Sequence, residues 1–219
     1  MVIIPGIHLI KLNFVNAYLI EEPKGLTLID TGIPGSYKKI IEYIVSLGRK
    51  VTDIKTILVT HSDPDHIGSL AKLKELSCAK VCSSATEAEG LRQGRSTRRS
   101  KPQGFKMIIR KILMAVILRI KPVKVDKVLK DKDALPIFKG LVAIDTNGHT
   151  PGHMSYFLKV PKVLFCGDSM NGIEGKLTSS RPMYTADAKA ADKAFKKQLG
   201  LKPRIICCGH GEVIRNRKA

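Results

Sequence analysis

With 219 residues, 43% of them hydrophobic, the chain can bury one substantial core but not two of ordinary size, so a single domain over 1–219 is expected. Trp is absent and aromatics make up 5%, which leaves Ile, Leu and Val to build a sheet-rich interior flanked by helices, and 38 Lys and Arg against 19 Asp and Glu give a net charge of +19. Five cysteines without regular spacing exclude a disulfide framework, and the opening Met1-Val2-Ile3-Ile4-Pro5 lacks the features of a signal peptide, so a cytoplasmic location is expected.

Residues 6–29 alternate apolar and polar positions in short runs broken by Glu21-Glu22-Pro23-Lys24-Gly25, a pattern of antiparallel strands ending at Asp30-Thr31-Gly32. Residues 37–47 carry apolar positions at helical spacing, with Gly48 as the stop. A buried strand is predicted at 54–59, a polar loop at 60–68 and a helix at 69–76. Residues 91–125 hold eleven basic residues and no acidic one. Within them we expect a basic loop at 94–104 and an apolar helix at 105–120, too short and too charged to span a membrane and suited to packing over the sheets or across a homodimer interface. Further strands are predicted at 142–145, 163–166 and 204–208.

Polar clusters follow four of these strands: His61-Ser62-Asp63-Pro64-Asp65-His66, His149-Thr150-Pro151-Gly152-His153, Gly167-Asp168 and Gly209-His210-Gly211. If the strands lie side by side, all four clusters meet at one edge. His61, Asp63, Asp65 and His66 put four potential ligands in six positions; buried carboxylates this dense would repel one another without a cation, and imidazole with carboxylate is the donor set that a divalent metal accepts. His8 lies far from these clusters and reads as an ordinary structural histidine.

Taken in order, Thr60-His61-Ser62-Asp63-Pro64-Asp65-His66-Ile67-Gly68, Gly148-His149-Thr150-Pro151-Gly152-His153, Phe165-Cys166-Gly167-Asp168 and Cys208-Gly209-His210-Gly211 resemble the metallo-beta-lactamase superfamily. The resemblance implies an α+β fold, a four-layer αβ/βα sandwich, with a binuclear metal site at one edge. It implies His61 and His149 as ligands of a first ion, Asp65, His66 and His210 as ligands of a second, and Asp168 as a bridge. His153 and Asp30 would support ligands rather than bind. Asp63 stands where the family has histidine; it can still ligate, and its harder oxygen leaves Zn2+ the leading ion with Fe or Mn as alternatives.

The implied activity is hydrolysis of a small ester-type substrate (a lactone, thioester or phosphodiester) by a metal-bridging hydroxide, with Asp65 receiving a proton, and a cationic pocket would favour an anionic substrate. Arg181 and Tyr184 are candidates for substrate contact. Two other readings stand beside it: a nucleic-acid-processing phosphodiesterase, suggested by the basic 91–125 segment, and a non-heme di-iron redox protein, suggested by the carboxylate at Asp63. Cys166 and Cys208 adjoin the clusters but fit the role of small apolar residues at the ends of buried strands.

Overall fold

The computed structural model describes residues 1–98, 120–138 and 140–216. Seven strands form the first sheet: β1 (Val2–Ile4), β2 (Ile7–Leu12), β3 (Val15–Glu22), β4 (Gly25–Ile29), β5 (Ile54–Leu58), β6 (Lys80–Ser84) and β7 (Lys127–Leu129), in that order. The first four are antiparallel, joined by tight turns; β4 to β7 are parallel, each reached through a helical crossover or a longer connection. The second sheet holds β8 (Ala134–Leu135), β9 (Leu141–Asp145), β10 (Met154–Leu158), β11 (Val163–Gly167), β14 (Ile205–Cys208) and β15 (Val213–Arg215), in the order β15-β14-β11-β10-β9-β8. A separate hairpin pairs β12 (Met170–Ile173) with β13 (Lys176–Ser179).

The two-residue period of the strands sorts their side chains into three cores. Tyr18, Ile20 and Ile29 of the first sheet meet Ala143, Tyr156, Phe165 and Cys207 of the second in a core between the sheets. The opposite parity, Ala17, Leu19 and Leu28, packs under α1 (Tyr37–Ser46), α3 (Leu70–Ser77) and α4 (Ala85–Gln93) through Ile40, Ile44, Leu70, Leu73 and Leu91. On the outer face of the second sheet, Phe157, Leu164, Cys166, Ile206 and Cys208 receive Phe195 of α5 (Ala188–Gly200). Helix, sheet, sheet, helix is the four-layer αβ/βα sandwich that the sequence implied, and both cysteines lie buried in its outer core as apolar residues.

Two expectations change. The four cluster-bearing strands do not lie side by side: β5 belongs to the first sheet, while β9, β11 and β14 belong to the second, with β10 running opposite between β9 and β11. The clusters still converge, because β9, β11 and β14 point the same way and their ends face the end of β5 across the sandwich. The boundaries of the 91–125 segment also shift, since Leu91 lies within α4 and Val123 returns to the core, both buried. The basic loop, the 105–120 helix and the dimer expected through it fall largely outside the described residues. Among the described residues no helix is long and apolar enough to cross a membrane.

The sheets are stitched at the shared edge. Tyr156 Oη donates to the Val59 carbonyl at 2.7 Å, Tyr18 Oη to the Cys208 carbonyl at 2.6 Å, and Met154 N to Thr60 O at 2.9 Å. Burial pushes the phenols of Tyr156 and Tyr18 well above their ordinary pKa, so both stay protonated donors. Tyr156→Phe would leave the Val59 carbonyl buried and short of a donor, and should lower unfolding free energy by about 1–3 kcal/mol in urea melts. An unchanged midpoint would show that the Tyr156 bond contributes nothing to holding the sheets together.

Candidate metal centre

Strand ends place the polar residues. β5 runs into Thr60 and His61; Asp63 precedes the single-turn helix α2 (Pro64–Ile67), whose Pro64 fixes its first turn and sets Asp65 and His66 on it. His149 lies in the loop between β9 and β10, His153 just before β10, Asp168 just after β11 and His210 after β14. Close approach here requires glycine. A Cβ at Gly209 would stand 2.3 Å from Asp168 Oδ1, and one at Gly167, with φ of 51°, would stand 2.7 Å from His153 Nε2.

All seven predicted ligands come together. His61, Asp63 and His149 form one group of donor atoms within 4.8 Å of one another, and Asp65, His66 and His210 form another. Asp168 reaches both: its Oδ2 lies 3.6 Å from His149 Nε2 and 3.2 Å from His210 Nε2, and its Oδ1 lies 3.2 Å from His66 Nε2. A third group, Asp30 with His61 and His66, is equally compact. Asp30, however, spends its oxygens on Thr60 N (2.9 Å), Thr60 Oγ1 (2.6 Å) and His66 Nδ1 (2.9 Å).

The hydrogen bonds behind the rings decide which nitrogen each presents. The Thr60 hydroxyl has one proton and gives it to the Asp30 carboxylate, so toward His61 Nδ1, 2.9 Å away, it accepts. His61 therefore carries its proton on Nδ1 and turns a lone pair on Nε2 into the site. His210 Nδ1 donates to the Phe14 carbonyl at 2.7 Å with the same result. His149 Nδ1 meets Ser180 Oγ at 2.9 Å. His153 differs: Nδ1 meets Thr146 Oγ1 at 2.8 Å and Nε2 accepts from Asp168 N at 3.1 Å, so both nitrogens are engaged.

Charge in the cluster is divided sharply. Burial and the neighbouring histidines push His61 well below the ordinary imidazole pKa, and burial followed by His149 pushes His153 down to about 3. Burial also opposes ionisation of His66 and His210, but the Asp168 carboxylate outweighs it, raising His66 well above its ordinary value and His210 to about 10. Burial likewise opposes the Asp168 carboxylate, and His66 and His210 overcome it and hold the group well below the usual range. Among the described residues, His61 Nε2, His149 Nε2 and Asp168 Oδ1 are buried with no hydrogen bond of good geometry. Buried imidazole nitrogens and carboxylate oxygens this close together, several without a hydrogen bond of good geometry, fit a divalent cation.

Arg181 and Tyr184 stay exposed at the rim, on and beside the 3-10 turn Pro182–Tyr184. Sequence reasoning missed Glu87. Fully buried, it accepts from Ser62 N and Oγ (2.9 and 2.5 Å), Thr97 Oγ1 (2.9 Å), Thr150 Oγ1 (2.7 Å) and Gly152 N (3.1 Å), binding the first two clusters together. The only local signal is Ser84-Ala85-Thr86-Glu87, which reads as a helix capping box. Ser84 does cap Glu87 N, but the glutamate side chain leaves the helix for the loops.

A sequence profile of the metallo-beta-lactamase superfamily matches residues 10–210. The Bacillus subtilis protein YobT is 31% identical over 219 residues, covering 92% of this chain and 85% of its own. The probable metallo-hydrolase YflN of the same organism is 25% identical, covering 94% and 84%. A hydroxyacylglutathione hydrolase from Albidiferax ferrireducens is 23% identical over 92% of this chain, which spans 64% of that enzyme. Among solved structures, a metallo-beta-lactamase from Cronobacter sakazakii superposes with a TM-score of 0.74 at 26% identity, over 96% of this chain and 77% of its own.

Removing the Glu87 carboxylate would strand its donors in the interior. Glu87→Ala should destabilise the metal-free protein by about 3–5 kcal/mol in urea unfolding, and Glu87→Gln by less. Losses below about 1 kcal/mol for Glu87→Ala would remove this residue from the support of the site.

Proposed function

Because this chain belongs to the metallo-beta-lactamase superfamily, we propose that its converged donors hold two divalent metal ions, Zn2+ before Fe or Mn, and that it hydrolyses a small ester-type substrate such as a lactone, thioester or phosphodiester. Of its relatives, one is named a probable metallo-hydrolase and another a hydroxyacylglutathione hydrolase, which supports metal-dependent hydrolysis in general. The observation that carries the reading to this chain is that His61 Nε2, His149 Nε2 and Asp168 Oδ1 are all buried, without a hydrogen bond of good geometry, where the clusters meet.

In this reading His61, Asp63 and His149 hold one ion, Asp65, His66 and His210 the other, and Asp168 lies between them. Bound there, the ions supply Lewis acidity toward a carbonyl or phosphoryl group and acidify water toward neutrality. The chain's residues supply the rest. Asp30 and Thr60 fix the proton positions of His66 and His61, and His153 anchors Asp168 through its backbone N–H. Asp65, half-buried with Oδ2 3.3 Å from His210 Nε2, is the proposed proton acceptor. Arg181 and Tyr184, at the rim, are the proposed substrate contacts.

Elemental analysis of the purified protein should find about two ions per chain, and a chelator should abolish turnover of bis-p-nitrophenyl phosphate, a thioester or a lactone. Asp168→Ala should lose bound metal and lower turnover by at least about a hundredfold. A metal-free protein, or turnover untouched by Asp168→Ala, overturns the reading.

Metal uptake must also displace protons. His210, raised to about 10, and His66, raised as well, are both cationic near neutrality in the metal-free protein, while a ligand nitrogen must be neutral. Affinity at the Asp65, His66 and His210 position should therefore rise with pH from 6 toward 9, with release of about two protons as that position fills, read by calorimetry in buffers of different ionisation enthalpy. Affinity that is flat over that range would sink the assignment of these two histidines.

A further inference from the structure

Asp63 is held in a way that none of the other donors shares. Its Oδ2, the oxygen 3.4 Å from His149 Nε2 and 3.8 Å from His61 Nε2, also accepts from Arg98 Nη2 at 2.6 Å. Its Oδ1 takes the Ser96 hydroxyl. Arg98 is fixed at its other end: Nη1 donates to the Tyr184 carbonyl at 2.7 Å, and the guanidinium carbon stands 5.6 Å from the centre of the Tyr184 ring. The side chains of Asp63 and Arg98 are 4% and 19% exposed, so water screens the pair weakly.

The arrangement is asymmetric between the two donor groups. His61, Asp63 and His149 bring one negative charge, and Arg98 cancels it. Asp65, His66 and His210 also bring one carboxylate, and among the described residues no Lys or Arg pairs with Asp65 or with Asp168.

Resting on the two-ion reading above, we propose that Arg98 is a positioning residue that holds Asp63 and weakens cation binding at the His61, Asp63 and His149 position, leaving the other position unaffected. A carboxylate oxygen has lone pairs for both a cation and a guanidinium, so the competition is one of charge rather than of space. The pair also anchors the rim turn at Tyr184 to a ligand, which ties the segment around residue 98 to the loop before α5.

The test is Zn2+ competition against a chromophoric chelator with wild type, Arg98→Met and Arg98→Lys, and with thermal unfolding of each metal-free protein as the folding control. Arg98→Met should tighten one of two binding steps by at least about tenfold and leave the other within about threefold, whereas Arg98→Lys, which keeps the charge, should stay within about threefold of wild type at both. If Arg98→Met fails to fold, Arg98→Gln, which retains a donor for Tyr184, should show the same tightening. Two bound ions in wild type with unchanged or weaker binding in the neutral variant overturns the role of Arg98 alone. Wild type that takes up no Zn2+ overturns the two-ion reading and this inference with it.

Discussion

One buried carboxylate, Asp30, organises the edge of the sandwich where the clusters meet. It sits 2% exposed at the end of β4 in a left-handed conformation, φ 58°, and accepts from Thr60 N, Thr60 Oγ1 and His66 Nδ1. Those three bonds clamp the ends of β4 and β5 and the short α2 to one point. They also act at a distance: by consuming the only hydroxyl proton of Thr60, Asp30 fixes the tautomer of His61, which it does not touch. Two of the four imidazoles in the donor groups owe the nitrogen they present to this residue.

Much of the architecture was legible because it is written in local periods. Residues 6–29 alternate, and the structure turns that alternation into two faces, Tyr18 and Ile20 toward the second sheet and Ala17 and Leu19 toward the helices. The helix expected over 37–47 forms at Tyr37–Ser46, and the ordered clusters pointed to the seven donors that meet. Division of the cluster-bearing strands between two sheets was not legible, because strand order is a long-range property and β10, which separates β9 from β11, carries no cluster of its own. The roles of Glu87 and Arg98 were not legible for a related reason: their partners Thr150, Gly152, Asp63 and Tyr184 lie tens of residues away, and the local patterns around them, a capping box and a basic stretch, point elsewhere.

The electrostatics of the cluster follow from who sits behind each ring. His61 and His153 are backed by neutral hydroxyls, Thr60 and Thr146, and burial keeps them uncharged. His66 and His210 face the Asp168 carboxylate, and burial is overcome. The cluster thus balances part of its own negative charge with protons on His66 and His210. The same logic extends to Asp63, whose balancing charge is Arg98 and cannot leave as a proton does.

The donors are contributed from positions 61 to 210 by strand ends that are neighbours only in the finished sandwich. β14, which carries His210, is among the last strands of the described chain and pairs in parallel with β11, some forty residues earlier. On a ribosome, therefore, most of this chain must emerge before the second donor group can exist at all, since His66 and Asp65 wait for a partner 144 residues downstream. Folding order is written into the donor set: a nascent chain can pair its first strands early, yet the donor side chains come together only when its final strands dock.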